Sequence, residues 1–163
     1  MTFLGKERLL HGPWSAFERC FVRYFLHLGY LQVEYTGGPG DKGCDIFVVS
    51  KGLQKKVIQC KFSYSINTAT KSGVEDLERA CIAYDADSGI LCINSKALAP
   101  SAIKKMEELN DDGFNLELWK WKEISRKMKY LPKYSLNWKK PREYQLKAIN
   151  NSISALKSTG LAL

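Results

Sequence analysis

No stretch of this 163-residue chain is apolar for the roughly 18 residues that a membrane span needs. Its first residues, MTFLGKERLLHG, lack an apolar core ahead of a small-residue cleavage site, so they do not read as a secretory signal. Histidine is almost absent, with only His11 and His27. Cysteine is present five times, an odd number, and never as C-x-x-C. Zinc spacing and a disulfide scaffold are therefore both excluded. Each cysteine (Cys20, Cys44, Cys60, Cys81, Cys92) sits in an apolar segment, as free buried thiols do. No G-x-x-x-x-G-K-[ST] phosphate loop occurs anywhere. What remains is a globular chain expected in a reducing cytoplasm, without a membrane partner.

Acidic residues are also short: 17 Asp and Glu face 25 Lys and Arg, for a net +8. The excess is local. Ten basic and two acidic residues lie between Lys120 and Lys147, and the rest of the chain balances at 15 each. Aromatic residues interleave the basic stretch (Trp119, Trp121, Tyr130, Tyr134, Trp138, Tyr144). Phosphate contact and base stacking draw on that mixture, and a solvated basic linker with its aromatics packed down would show it too. The candidate DNA contacts are Lys42, Lys120, Lys122, Arg126, Lys127, Lys129, Lys139 and Lys140.

Hydrophobic spacing orders the elements. Phe17, Cys20, Phe21, Tyr24, Phe25 and Leu28 keep the helical period from Trp14 to a stop at Gly29. Leu31 to Tyr35 alternates as a half-buried strand. A loop follows, Gly37-Gly38-Pro39-Gly40-Asp41-Lys42-Gly43, that no regular element would tolerate. Asp45 to Val49 and Val57 to Phe62 read as strands around a turn at Lys51-Gly52. Helical spacing resumes beyond Gly73, and Gly89 to Asn94 is a short apolar run typical of a strand covered on both faces. Residues 99–109 read as a helix, 115–121 as a strand and 123–129 as a short helix. The order predicts an α/β fold, a mixed sheet sandwiched by helices. After about Leu131 a basic connector begins, and a new helical pattern starts beyond Pro141.

Three polar residues interrupt otherwise apolar elements. Alternation puts Val57, Gln59 and Lys61 on one face of their strand and Ile58, Cys60 and Phe62 on the other. An ammonium on so apolar a strand requires an anion, since burying it alone costs several kcal/mol. Asp45 on the preceding strand is the nearest candidate. Glu18 falls between Val22 and Phe25 on the helical wheel, away from the Arg19/Arg23/His27 face, and so points at the sheet. Two carboxylates and an amide oxygen beside a lysine form a hard-oxygen cation site, which suits Mg²⁺ and phosphoryl chemistry. A purely structural Asp45–Lys61 ion pair, with Gln59 bonded to backbone and Glu18 at the surface, has the same pattern.

Three segments, FERCFVRYFLHLGY, GPGDKGCDIFV and VIQCKFS, together resemble the Mrr-type branch of the PD-(D/E)xK nucleases. The resemblance runs from about Trp14 to Ile124. It implies a restriction-endonuclease-like α/β/α sandwich around a central mixed sheet, over residues 1–131. It also implies Mg²⁺- or Mn²⁺-dependent cleavage of double-stranded DNA, of restriction or genome-defence type. Asp45 would be the central metal ligand and Lys61 would orient the attacking water. Gln59 stands where many relatives carry glutamate, Glu18 resembles the helix-borne acid of the cation shell, and the Cys60 carbonyl would complete that shell. Because an amide brings no charge, Glu18 must supply the missing negative charge. Nucleases of this fold often act in pairs, so a homodimer is consistent with the resemblance. The same layout also fits a catalytically inactive DNA-binding module or a structure-selective junction resolvase.

A second, shorter segment, Lys140-Pro141-Arg142-Glu143-Tyr144-Gln145-Leu146-Lys147-Ala148-Ile149, resembles the opening of superfamily 2 helicase motor domains. It implies that residues 132–163 are a basic connector and the truncated start of a helicase or translocase within a larger helicase-nuclease. An amphipathic terminal helix reads the same way.

Overall fold

The computed structural model describes residues 11–38, 40–64, 68–69, 71–129 and 143–158. The chain divides into two compact units, Met1–Pro132 and Lys133–Leu163. The first begins with α1 (Trp14–His27), whose Phe17, Cys20, Phe21 and Phe25 are buried along one stripe. Gly29 ends it at φ +73°. The Gly29 N–H bonds to the Leu26 carbonyl and the Tyr30 N–H to that of Phe25, a closing pair that needs a left-handed residue between them.

Strands β1 (Gln32–Tyr35), β2 (Ile46–Val49) and β3 (Lys55–Lys61) follow. Next come β4 (Thr68–Ala69), α2 (Ser72–Ala83), β5 (Ser88–Ile93), β6 (Ala97–Leu98), α3 (Pro100–Asp111), β7 (Leu116–Trp119) and α4 (Trp121–Met128). The main sheet has the order β1-β2-β3-β5-β7. β1, β2 and β3 pair antiparallel, whereas β3, β5 and β7 run parallel. β4 and β6 form a separate two-stranded parallel pair. Two-residue strands are too short to leave a periodic signal, and the sequence gives no hint of them.

The sheet separates two apolar cores. On one face, α1 and α4 cover Ile46, Val48, Ile58, Cys60, Ile90 and Cys92. On the other, α2 and α3 cover Val57, Leu91, Ile93 and Leu116. β3 is the middle strand, and every residue of β5 is buried. A Cβ at Gly89 would come within 2.8 Å of the Cys81 sulfur and 2.9 Å of Leu116, so the missing side chain is what lets α2 lie down on β5. All five cysteines are free and buried, and each behaves as a small apolar residue.

In the second unit, α5 (Glu143–Ser158) carries Leu146, Ile149 and Ile153 on one exposed stripe. No helix among the described residues is long and apolar enough to cross a membrane.

Candidate active site

The polar residues singled out above gather where β2 begins and β3 ends. Ile46 pairs with Ile58, and the Asp45 N–H bonds to that same Ile58, at its carbonyl, at 3.0 Å, so the regular ladder stops at Ile46. Asp45 therefore sits at the start of β2, beside the stretch of β3 that carries Gln59. Both side chains are buried, at 6% and 5% exposure. The Asp45 carboxylate accepts the Cys60 N–H at 2.6 Å. Its backbone carbonyl accepts the N–H groups of Thr36 and Gly37, so the strand end is pinned from both sides.

Glu18 reaches the same place from α1. It is 7% exposed, and the Tyr35 hydroxyl donates to its Oε2 at 2.5 Å. That bond holds the Tyr35 phenol protonated, pushing its pKa up to about 12. Burial raises the Glu18 carboxyl, partly offset by the Tyr35 hydroxyl, with nearby Asp41 raising it further. Asp45 is pushed up to about 7, first by burial and then by the charges of Glu18 and Asp41, against the Cys60 N–H and the Lys61 ammonium, which lower it. Three carboxylates therefore sense one another in a space where only partial neutralisation is available.

Gln59 adds an unsatisfied oxygen to this strand end. Its Nε2 donates to the Cys60 carbonyl at 3.5 Å, the outer limit of a hydrogen bond. Its Oε1 is buried with no partner. A buried orphan acceptor costs about 1–3 kcal/mol, and beside under-compensated carboxylates it matches the donor set of a hard divalent ion. Among the described residues no group of three or more His, Cys, Asp and Glu side chains is placed to hold a metal. Any such site must draw on the Gln59 oxygen and on backbone carbonyls.

Lys61 does not pair with Asp45, as its place in the sequence implied. Its ammonium donates to Asp76 Oδ2 on α2 at 2.5 Å, and Arg79 holds the other oxygen of that carboxylate. The physical reason is the pleat: Lys61 leans toward the α2 face, where Gly73 leaves room for its stem. A Cβ at Gly73 would sit 3.0 Å from Lys61 Cγ. The ammonium still acts electrostatically on Asp45 and Glu18.

Tyr35, Asp41 and Asp76 were not singled out by the sequence reading. Asp41 lies in the glycine loop, where its Oδ1 accepts the Gly43 N–H at 2.9 Å and its charge reaches the site. Nothing in the helical spacing marks Asp76, since a carboxylate on the polar side of α2 is unremarkable.

Of the proposed DNA contacts, Lys42 is exposed in the glycine loop with φ +56°. Lys122, Arg126 and Lys129 are exposed and Lys120 is half-buried. Lys127 lies over the Trp119 ring, 4.1 Å from its centroid. Trp119 itself is a core residue against Phe21, Tyr24 and Phe25, so it offers no face for base stacking. Lys139 and Lys140 lie outside the described residues.

A model of the Mrr catalytic family, described as a restriction endonuclease, matches residues 9–128. The chain belongs to the Mrr-type restriction endonuclease family. No curated protein matches it. Among solved structures, this Mrr-type domain is similar to the DNA modification-dependent restriction endonuclease AspBHI. The identity is 18% and the TM-score 0.54, over 92% of this chain and 38% of that one. A protein of unknown function, AF1548, gives 12% identity and a TM-score of 0.51, over 88% of this chain and 77% of that one. A repair endonuclease from Pyrococcus abyssi gives 23% identity and a TM-score of 0.41, over 55% and 37%. The likeness to AspBHI and AF1548 is one of fold: the restriction-endonuclease-like α/β arrangement predicted from the sequence. The chain spans about two fifths of the length of the two named endonucleases.

Proposed function

We propose that this Mrr-type domain is a divalent-cation-dependent DNA endonuclease that hydrolyses phosphodiester bonds. The observation that carries the reading is the orphan Oε1 of Gln59 at the strand end where the buried carboxylates of Asp45 and Glu18 also meet. Mg²⁺ or Mn²⁺ would be held by Asp45, Gln59 Oε1, Glu18 and the Cys60 carbonyl. When bound, the cation supplies Lewis-acid polarisation of the phosphate and an acidified water. Each protein group keeps bonding capacity in reserve. Asp45 spends one oxygen on the Cys60 N–H and Glu18 one on Tyr35. The Lys61 ammonium has three donors and gives one to Asp76, leaving two for the attacking water and a phosphate oxygen.

Supercoiled plasmid with Mg²⁺ or Mn²⁺ tests this directly. Nicking is expected in the wild type and absent in Asp45→Ala and Lys61→Ala, with duplex binding retained in both. A folded protein that binds duplex and cuts nothing with any divalent metal selects the second reading, a non-catalytic DNA-binding module. That reading draws on the uncharged Gln59 and on the lack of a three-acid cluster among the described residues. Preference for four-way junctions over linear duplex would instead identify a resolvase.

Asp76 belongs to the same reading as a positioning residue. Asp76→Asn keeps an acceptor for Lys61 but removes the charge, and a charge-assisted hydrogen bond is worth about 1.5–3 kcal/mol. The turnover rate is expected to fall by about 10- to 100-fold, with KM for DNA nearly unchanged and the melting temperature lowered by roughly 5–10 °C. Asp76→Glu is expected to restore most of the rate. A KM effect without a rate effect would assign Asp76 to DNA binding instead.

The wider setting follows the sequence resemblance. We read residues 1–131 as the nuclease, and 132–163 as a basic connector opening a helicase or translocase domain of a longer cytoplasmic protein. Double-strand cleavage would then use a homodimer or that motor as partner.

A further inference from the structure

A second feature lies along the same edge of the sheet. The parallel strands β3, β5 and β7 all end there: β3 at Lys61, β5 shortly before Lys96, and β7 just before Lys120. Beyond β5 and β7 a groove of about 760 Å³ opens, lined by Lys96, Leu118, Lys120, Trp121, Lys122 and Glu123. None of its three lysines has an acidic partner among the described residues. The one carboxylate in the groove is engaged, since Glu123 accepts the Lys120 N–H at 3.3 Å. Leu118 and Trp121 line it between the charges.

Three lysines and one carboxylate leave the groove with a local charge of +2, a potential that attracts a polyanion. Inorganic anions would satisfy the charges but not the apolar lining. A nucleic-acid strand satisfies both, because phosphates alternate with sugar faces along it. Spacing agrees. Adjacent strands lie about 4.8 Å apart, so β7 is about 10 Å from β3, close to three nucleotides of rise at about 3.4 Å each.

We infer that this groove grips the sugar–phosphate backbone of DNA about three nucleotides from the bond presented to Lys61, with phosphates on Lys96, Lys120 and Lys122 and deoxyribose against Leu118 and Trp121. Contacts of this kind set register and orientation and carry no base information. Lys96 is the new member, since it lies outside the basic stretch that draws attention to Lys120 and Lys122. The inference rests on the reading that this edge faces DNA, and it needs no cleavage to be tested.

The test is anisotropy of a labelled DNA duplex in EDTA, titrated between about 50 and 200 mM KCl. Each neutralised phosphate adds about 0.9 to the slope of log affinity against log salt. The triple variant Lys96→Gln/Lys120→Gln/Lys122→Gln should therefore show a slope shallower by about 2.7, so that wild-type affinity falls about 40-fold more across that range. Lys96→Gln alone, in a loop and away from any helix start, should account for about 0.9. Lys104→Gln, remote on α3, should leave the slope unchanged. Equal slopes for wild type and triple variant overturn the inference, as does a wild type that binds no duplex. A domain that binds through the groove yet never nicks plasmid sinks the nuclease reading alone. One that nicks with an unaltered slope in the triple variant sinks the groove alone.

Discussion

Asp45→Asn is expected to make the metal-free domain more stable above pH 7, by about 4 kcal/mol, while abolishing cleavage. The sign follows from the direction of the shift. Asp45 is raised from 3.8 to about 7 in the fold, so the folded state holds that proton more tightly than the unfolded chain does. Below pH 4 the carboxyl is protonated in both states and costs nothing. As pH rises from about 4 to about 7 the unfolded chain ionises first, and stability falls by about 1.4 kcal/mol per unit. Above pH 7 the penalty is complete and constant. Asparagine keeps an acceptor for the Cys60 N–H, the bond that now holds Asp45 Oδ2 at 2.6 Å, and cannot ionise. Urea midpoints of the two proteins should coincide near pH 4 and diverge by pH 8, with a gain in melting temperature on the order of 10 °C. Excess Mg²⁺ at pH 8 should stabilise the wild type, because a ligand for the folded state adds stability by mass action, and should leave Asp45→Asn nearly unmoved. Parallel pH profiles would show that Asp45 ionises without penalty, and the case for a cation there would lose its electrostatic ground.

Gly43→Ala is expected to cost about 3 kcal/mol and to uncouple the loop from the site. Gly43 has φ +86°, where a side chain adds roughly 1–2 kcal/mol of strain. Its Cβ would lie 2.3 Å from the Asp76 backbone carbonyl oxygen and 2.9 Å from that carbonyl carbon. Backbone in the middle of α2 cannot step aside as a side-chain tip can, so the loop must lift, and overpacking adds about 1–3 kcal/mol. The Gly43 N–H anchors the Asp41 carboxylate, and Cys44 and Asp45 follow directly. The displacement would therefore pass into the β2 terminus. Urea denaturation measures the stability loss, and the nicking rate measured well below the midpoint separates lost geometry from lost fold. Gly40→Ala is the contrast: it also has positive φ, at +89°, but nothing lies within 4 Å of its Cβ. It should show the strain without the clash, and an equal loss in the two variants would remove the argument from close packing.

How far the residues alone reach can be seen at particular positions. The apolar spacing of α1, the continuous run at β5 and the glycine stop at residue 29 each depend on neighbours within one or two turns, and the sequence reading placed them within about two residues. The same local logic marked Glu18, Asp45, Gln59 and Lys61, because a polar residue on an otherwise apolar face is visible without knowing what covers it. Partner choice was not visible. Asp76 lies 15 residues beyond Lys61, on the polar side of a helix. Only the crossover that lays α2 over β3 brings it to the ammonium in place of Asp45. Tyr35 and Glu18, 17 residues apart, meet for a similar reason. The basic excess showed the same division. Sequence order located it between Lys120 and Lys147, but the packing of Trp119 beneath Lys127 withdrew one aromatic from any DNA face. The convergence of parallel strand ends joined Lys96 to Lys120 and Lys122. Periodicity and burial demand act through the local chain and determine which elements form and which side chains are out of place. Charge pairing acts through space, and the tertiary structure decided where each of those side chains found its partner.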